Sequence, residues 1–231
     1  MIITLSGSFG SGGEDIAKIL AEKLGYRLFG KEIVRRAAEI SGSDLKASTE
    51  KFYDEDMDRL DTEKGYSKAL MRMQFDTLPE KMTSNWNIVA HAHERTKQIN
   101  ANRKAVLEAI EEVQHGNCIF LGRCAGYFLK DNPETVRIYT LDSYTDNIKA
   151  RIRRDFPNIS DAEILKLAKL TDKRREEYYE YLTQQQLYDM KNFDYVFNVG
   201  YLGVDTTADL IIKIIAEKEK ELRELELITE K

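Results

Sequence analysis

The chain alternates between short apolar runs and longer stretches in which apolar residues recur at helical spacing. Ile2 to Leu5 is a short apolar run that ends in glycines, the pattern of a buried strand. From Glu14 the spacing changes. Ile16, Ala17, Leu20 and Leu24 fall on one helical face, and Gly25 supplies a stop. "YRLF" predicts a second strand, and "KEIVRRAAEI" predicts a helix with Ile33, Val34, Ala37 and Ile40 on one side. Residues 42 to 82 are charged, methionine-rich and weakly periodic, which predicts short helices forming a cover. A longer helix is predicted from near Trp86 to Val113, because Ile99, Val106, Ile110 and Val113 recur at turn spacing. "CIFLG", "VRIYTLD" and "YVFNVG" read as strands, and a basic helical section from Tyr144 to Met190 lies between the last two. Asp205 precedes a terminal helix carrying Leu210, Ile211, Ile214 and Ile215.

Strand, loop and helix in repetition, with a glycine-rich first turn, predict an α/β architecture: a parallel sheet flanked by helices. The bulk numbers bound this picture without changing it. A length of 231 residues suits one sizeable domain, and 42% hydrophobic residues with only three prolines suit a globular, largely helical chain. The net charge of −5 argues against general nucleic-acid binding, since no overall basic field is present to displace counterions. Cys118 and Cys124 are the two cysteines, with no histidine pair at zinc spacing, and Cys118 reads as a small core residue. His91 and His93 are alternate residues on a helix and point to different sides, which is poor metal geometry. No run approaches membrane-spanning length, so a soluble cytoplasmic protein is expected. The tail "AEKEKELRELELITEK" reads first as a solvated helix end and second as a contact for a second copy of the chain.

Candidate chemistry concentrates in "SGSFGSGGED", residues Ser6 to Asp15. Gly7, Gly10, Gly12 and Gly13 lie between a strand and a helix, where backbone N–H groups converge on an anion and the helix start adds partial positive charge. Against the pattern G-x-x-x-x-G-K-[ST], Gly7 and Gly12 match, while Gly13 stands in place of the lysine that ordinarily lies against the outer phosphates. Asp15 reads first, with Glu14, as a first-turn acid that stabilises the helix dipole, and second as a candidate magnesium ligand. The missing cation must come from arginine, whose planar fork binds phosphate bidentately. Arg35, Arg36, Arg123, Arg151, Arg153, Arg154, Arg174 and Arg175 are the sources on offer. Arg123 stands out, because it follows a strand expected to be buried, at the carboxyl edge where open α/β sheets bind ligands.

Together, "ITLSGSFGSGGEDIAKILAEKLG", "GKEIVRRAAE", "NCIFLGRCAGYFLKD" and the D-x-x-R-x-x-Y-Y core of "LTDKRREEYYEYL" resemble the cytidylate kinase-like family of P-loop kinases. The resemblance covers nearly the whole chain. It implies a P-loop NTPase-type three-layer fold, a five-stranded parallel sheet flanked by helices, in a single domain spanning residues 1–231. Residues 42–100 would be a helical acceptor-binding (nucleoside monophosphate) and cover section, and residues 144–190 a lid section. It further implies transfer of the ATP γ-phosphoryl group, with Mg2+, to a nucleoside monophosphate of the CMP or dCMP kind. Gly7, Gly10, Ser11, Gly12 and Gly13 would cradle the ATP phosphates. Arg36, Arg123, Asp172 and Arg175 would hold the acceptor, and Arg123, Arg151, Arg154 and Arg175 would serve catalysis. The aspartate usual in this branch is replaced by Gly30. A nucleotide-binding module without transfer, acting as a sensor or partner-binding protein, is the alternative reading.

Overall fold

The computed structural model describes residues 1–41 and 88–229. Strands β1 (Ile2–Gly7), β2 (Arg27–Phe29), β3 (Cys118–Leu121), β4 (Thr135–Leu141) and β5 (Tyr195–Asn198) form one sheet in the order β2-β3-β1-β4-β5. Every pairing is parallel, with Leu5 opposite Leu121 on one side of β1 and Ile138 on the other. The central strand β1 is thus buried on both faces from Ile2 to Leu5, which explains why Ile2, Ile3 and Leu5 stand on both of its faces without strict alternation.

The helices are α1 (Gly13–Leu24), α2 (Lys31–Ser41), α3 (Ile88–Glu111), α4 (Ala125–Phe128), α5 (Thr145–Asp155), α6 (Asp161–Thr183), α7 (Val199–Leu202) and α8 (Val204–Thr229). They make the two outer layers. On one face Ile33 and Ala37 of α2, Val106 and Ile110 of α3 and Leu182 of α6 pack on Ile2, Cys118 and Phe120. On the other, Ile16 and Leu20 of α1 and Ile211 and Ile215 of α8 pack on Ile3, Leu5, Ile119 and Ile138. Each such large side chain contributes about 1.5–3 kcal/mol on removal from water. Gly25, at φ +68°, ends α1 in the left-handed conformation that glycine favours.

The basic section from Tyr144 to Met190 is two helices with a break. Pro157 lies in the break. Ser160 then starts α6 with a capping box: its hydroxyl accepts the Glu163 N–H, and Glu163 accepts from the Ser160 backbone. Both signals are in the sequence, where they are short beside the run of charged residues around them. A third, smaller cluster forms here, in which Ile152, Phe156, Ile159, Ile164 and Leu167 pack together with Phe9 of the glycine loop. The expected cover at 42–82, with Trp86, falls outside the described residues. So does most of the section expected at 42–100.

Candidate functional site

The loop between β1 and α1 sits at the centre of the carboxyl edge of the sheet, because β1 is the central strand. Gly10 and Gly12 have φ of +75° and +90°, conformations that turn the chain sharply into α1. The first N–H groups of α1 have no intrahelical carbonyl to bond and face the loop end of the helix. Gly7 has a different reason to be glycine. A Cβ there would stand 2.2 Å from Thr140 Oγ1 and 2.7 Å from the Thr140 carbonyl oxygen. Thr140 belongs to β4, and its hydroxyl is 3.0 Å from Ser11 Oγ in a buried pair. The same hydroxyl lies 2.9 Å from where a Gly13 Cβ would be. Thr140 therefore fills the space from which a loop lysine would have to grow.

Side chains from α5 and α6 close over the loop. Arg151 of α5 donates from one terminal nitrogen to the Gly10 carbonyl at 2.9 Å and to Asp142 Oδ2 at 2.5 Å. Arg175 of α6 donates to the Gly7 carbonyl at 2.8 Å and lies over the Phe9 ring. Asp172 accepts the Phe9 N–H at 2.7 Å. Burial raises the Asp172 carboxyl above its ordinary value, against the opposing pull of the Phe9 N–H and Arg175. Ile148 of α5 would lie 2.8 Å from a Cβ at Gly10, so α5 rests directly on the loop. Arg151 and Arg154 share a helix face at i, i+3 spacing, and Arg153 turns away to pair with Asp161.

Arg154 pairs with Asp15 at 2.8 Å. That places the Asp15 carboxylate in an ion pair and not in an open ligand position. No group of three or more His, Cys, Asp or Glu with metal-binding geometry occurs among the described residues. The fit of Asp15 as a protein-held magnesium ligand is therefore poor. Beside the Arg154–Asp15 pair lies an open cleft of about 680 Å³, lined by Lys18 and Ile19 of α1, Arg151 and Arg154 of α5, and Val204 of α8. Its size is that of a small-molecule site.

Arg123 lies in a turn of three successive left-handed residues, Gly122, Arg123 and Cys124, with φ of +71°, +60° and +58°. The Gly122 N–H donates to the Leu5 carbonyl at 2.8 Å, which pins this turn to the end of β1. The Nε of Arg123 is buried, and Cys124 and Tyr178 are its neighbours. Among the tyrosines, Tyr179 is buried, Tyr181 accepts from Asn102 at 3.1 Å, and the Tyr178 hydroxyl is buried with no hydrogen-bond partner. Arg36 is not brought to the loop. Its guanidinium makes a two-pronged pair with Glu112, at 2.7 and 2.8 Å, and reaches Glu39 at 3.1 Å. Glu112 follows α3 toward the amino end of β3, at the far edge of the sheet from the loop.

A family model described as the cytidylate kinase-like family matches residues 2–201. The chain belongs to that family. Its solved structural relatives include an uncharacterised protein from Eubacterium ventriosum, with TM-score 0.58 and 21% identity over 94% of this chain and 98% of that one. That likeness bears on the fold alone, here a five-stranded parallel sheet with helices on both faces. The shikimate kinase from Acinetobacter baumannii in complex with shikimate is similar at TM-score 0.42 and 15% identity, over 94% of this chain and 93% of that one. The deoxyadenosine kinase from M. mycoides with products dCMP and dCDP bound is similar at TM-score 0.41 and 17% identity, over 94% of this chain and 100% of that one. No curated protein matches the chain. No helix among the described residues is long and apolar enough to cross a membrane.

Two residues of this site escaped the sequence reading. Thr140 and Asp142 carry no local signal, being one threonine and one acid at the end of a strand. Only the position of β4 beside β1 gives them their neighbours.

Proposed function

We propose that the chain is a nucleotide kinase that moves the γ-phosphoryl group of magnesium–ATP to a nucleoside monophosphate, CMP or dCMP by family resemblance. The observation that carries this reading is the meeting of Arg151 and Arg175 on the carbonyls of Gly10 and Gly7. Two guanidinium groups from distant segments over a glycine turn concentrate positive charge where polyphosphate would sit. In this reading Gly10, Ser11, Gly12 and Gly13 cradle the donor phosphates, and the cleft beside Arg154 and Val204 takes the rest of the donor. Magnesium arrives with ATP as part of the substrate, held by its phosphates and water, as this ion prefers. Arg123 and Arg175, with Asp172, face the acceptor. An acceptor phosphate oxygen forms a bond to the γ-phosphorus, the bond to the β-bridging oxygen breaks, and ADP leaves with that electron pair. The protein orients both partners in line, neutralises charge and excludes water through the lid.

A second reading, a nucleotide-binding module without transfer, is favoured by one observation: the Asp172 carboxylate takes the Phe9 N–H of the loop, a donor otherwise open to an anion. The two are separated by one experiment. The purified chain is given magnesium–ATP with CMP, dCMP, UMP, AMP or GMP, and ADP release is followed alongside calorimetric titration with ATP. Turnover with a pyrimidine monophosphate supports the kinase. ATP binding without turnover on any acceptor selects the module.

A further inference from the structure

Asp142 directly follows β4, and none of its side chain is exposed. A buried carboxylate is costly unless its oxygens are bonded. Both are. One oxygen accepts the Tyr144 N–H at 2.7 Å, and the other accepts from Arg151 at 2.5 Å. The neighbouring backbone has made room for it, because a Cβ at Gly200 would stand 2.0 Å from Asp142 Oδ1 and 2.6 Å from the Tyr144 ring. Four segments, the end of β4, α5, α7 and the glycine loop, therefore converge on one carboxylate–guanidinium pair.

The pair has an orientation that bears on chemistry. The same Arg151 nitrogen that bonds Asp142 also bonds the Gly10 carbonyl at 2.9 Å. The Arg151 Cζ and Nε both lie 3.3 Å from where a Gly12 Cβ would be, so the planar fork overlies the apex of the loop. A free arginine has many rotamers, and anchoring one edge of the fork leaves the remaining donors in a single arrangement. Thr140 has closed the place of the loop lysine, so a cation at this spot has to be brought in from outside the loop.

We infer that Asp142 is a positioning residue that holds the Arg151 guanidinium over the glycine loop, so that Arg151 supplies there the positive charge a loop lysine would otherwise bring. This rests on the reading of the loop as a polyphosphate site. Asp142 acts only through Arg151.

The test is a double-mutant cycle of Asp142→Asn and Arg151→Ala, read as turnover of magnesium–ATP with CMP or dCMP and as the calorimetric dissociation constant for magnesium–ATP. Asparagine keeps an acceptor for the Tyr144 N–H and removes the charge. D142N is expected to lower turnover about 10- to 100-fold in the parent, the scale of a misplaced reacting group, and to have no further effect once Arg151 is alanine. Equal losses in both backgrounds, or unchanged turnover in the parent background, overturn the inference. So does a lowered melting temperature with unchanged turnover per folded molecule, which marks a merely structural acid. Should D142N not fold, Asp142→Ser enters the same cycle. If the parent binds ATP and transfers to no acceptor, the kinase reading fails alone, and the cycle is decided on the dissociation constants by the same criterion. If the parent does not bind magnesium–ATP, both fail together.

Discussion

Asp172, on α6, accepts the Phe9 N–H at 2.7 Å, so the backbone of the glycine loop is held by a carboxylate 163 residues further along the chain. The same carboxylate is 3.8 Å from Arg175, which itself bonds the Gly7 carbonyl at 2.8 Å. The loop and α6 are thus tied at Gly7 and at Phe9. Burial raises the Asp172 carboxyl from the ordinary 3.8. An acid whose folded value is raised binds more protons folded than unfolded, so its contribution favours the fold at low pH and weakens as pH rises from about 3.8 through the raised value. Asp172→Asn keeps an acceptor for the Phe9 N–H and removes this titration. The variant is expected to melt at or above the parent temperature near neutral pH, with the difference shrinking as pH falls below 3.8. Melting curves across that range check it, and a difference that grows toward low pH would contradict it.

Thr140 gives Gly7 and Gly13 their steric constraint, at 2.2 and 2.9 Å from the absent Cβ atoms. Gly7→Ala is expected to destabilise the protein by about 1–3 kcal/mol through overpacking. Gly13→Lys should not raise turnover, since the new side chain meets the Thr140 hydroxyl. Gly13→Ala should cost less in a Thr140→Ala background than alone. Denaturant titrations of the four-member cycle measure that coupling, and strict additivity would refute a direct contact.

Arg36 and Arg123 stand alike in the family resemblance and apart in space. Arg36 is exposed and paired with Glu112, whereas Arg123 lies at the carboxyl edge of β3 in the left-handed turn. Arg36→Ala is expected to leave the acceptor KM within about 2-fold of the parent, because an exposed, screened pair contributes little. Arg123→Ala is expected to cut phosphoryl transfer about 100-fold or more, as loss of a transition-state charge contact does. Steady-state kinetics on both variants with CMP and dCMP decide it. A large KM effect at Arg36 would mean that α2 moves on acceptor binding.

Cys118 and Cys124 are both buried, and burial pushes their thiols up, that of Cys124 to about 12. Thiolate is the reactive form, so a thiol reagent at about pH 8 should label neither residue in the folded protein and both after unfolding. Because the folded state holds these protons more tightly than the unfolded chain, their contribution to stability should fall as pH rises above 9.0. Rapid labelling of native protein would show that the turn at Gly122–Cys124 opens.

Much of the fold was legible because the signals are local. A pure apolar run gives β1, a heptad-like face gives α1, and Gly25 marks its end. The family, too, is written in contiguous motifs. The break between α5 and α6 was less visible, since the Ser160–Glu163 box is short beside a long basic stretch. The site was readable only in part. The glycines and the arginines that meet them announce themselves by type and clustering. Thr140 and Asp142 do not, because their importance is a matter of which strand lies next to which. Nor does sequence tell that Arg36 is taken by a glutamate 76 residues away.

Among the described residues, the side chains bonded over the glycine turn come from far along the chain. Ser11 reaches Thr140 across 129 residues, Gly10 meets Arg151 across 141, and Gly7 meets Arg175 across 168. Chain leaving a ribosome exposes the turn long before the residues that cover it. The finished shape of the turn is therefore a late acquisition in the life of each molecule. Closures over such long separations are also entropically slow to find. A chain cut short before α6 retains every glycine of the turn and has lost Asp172 and Arg175, two of the residues that hold it in shape.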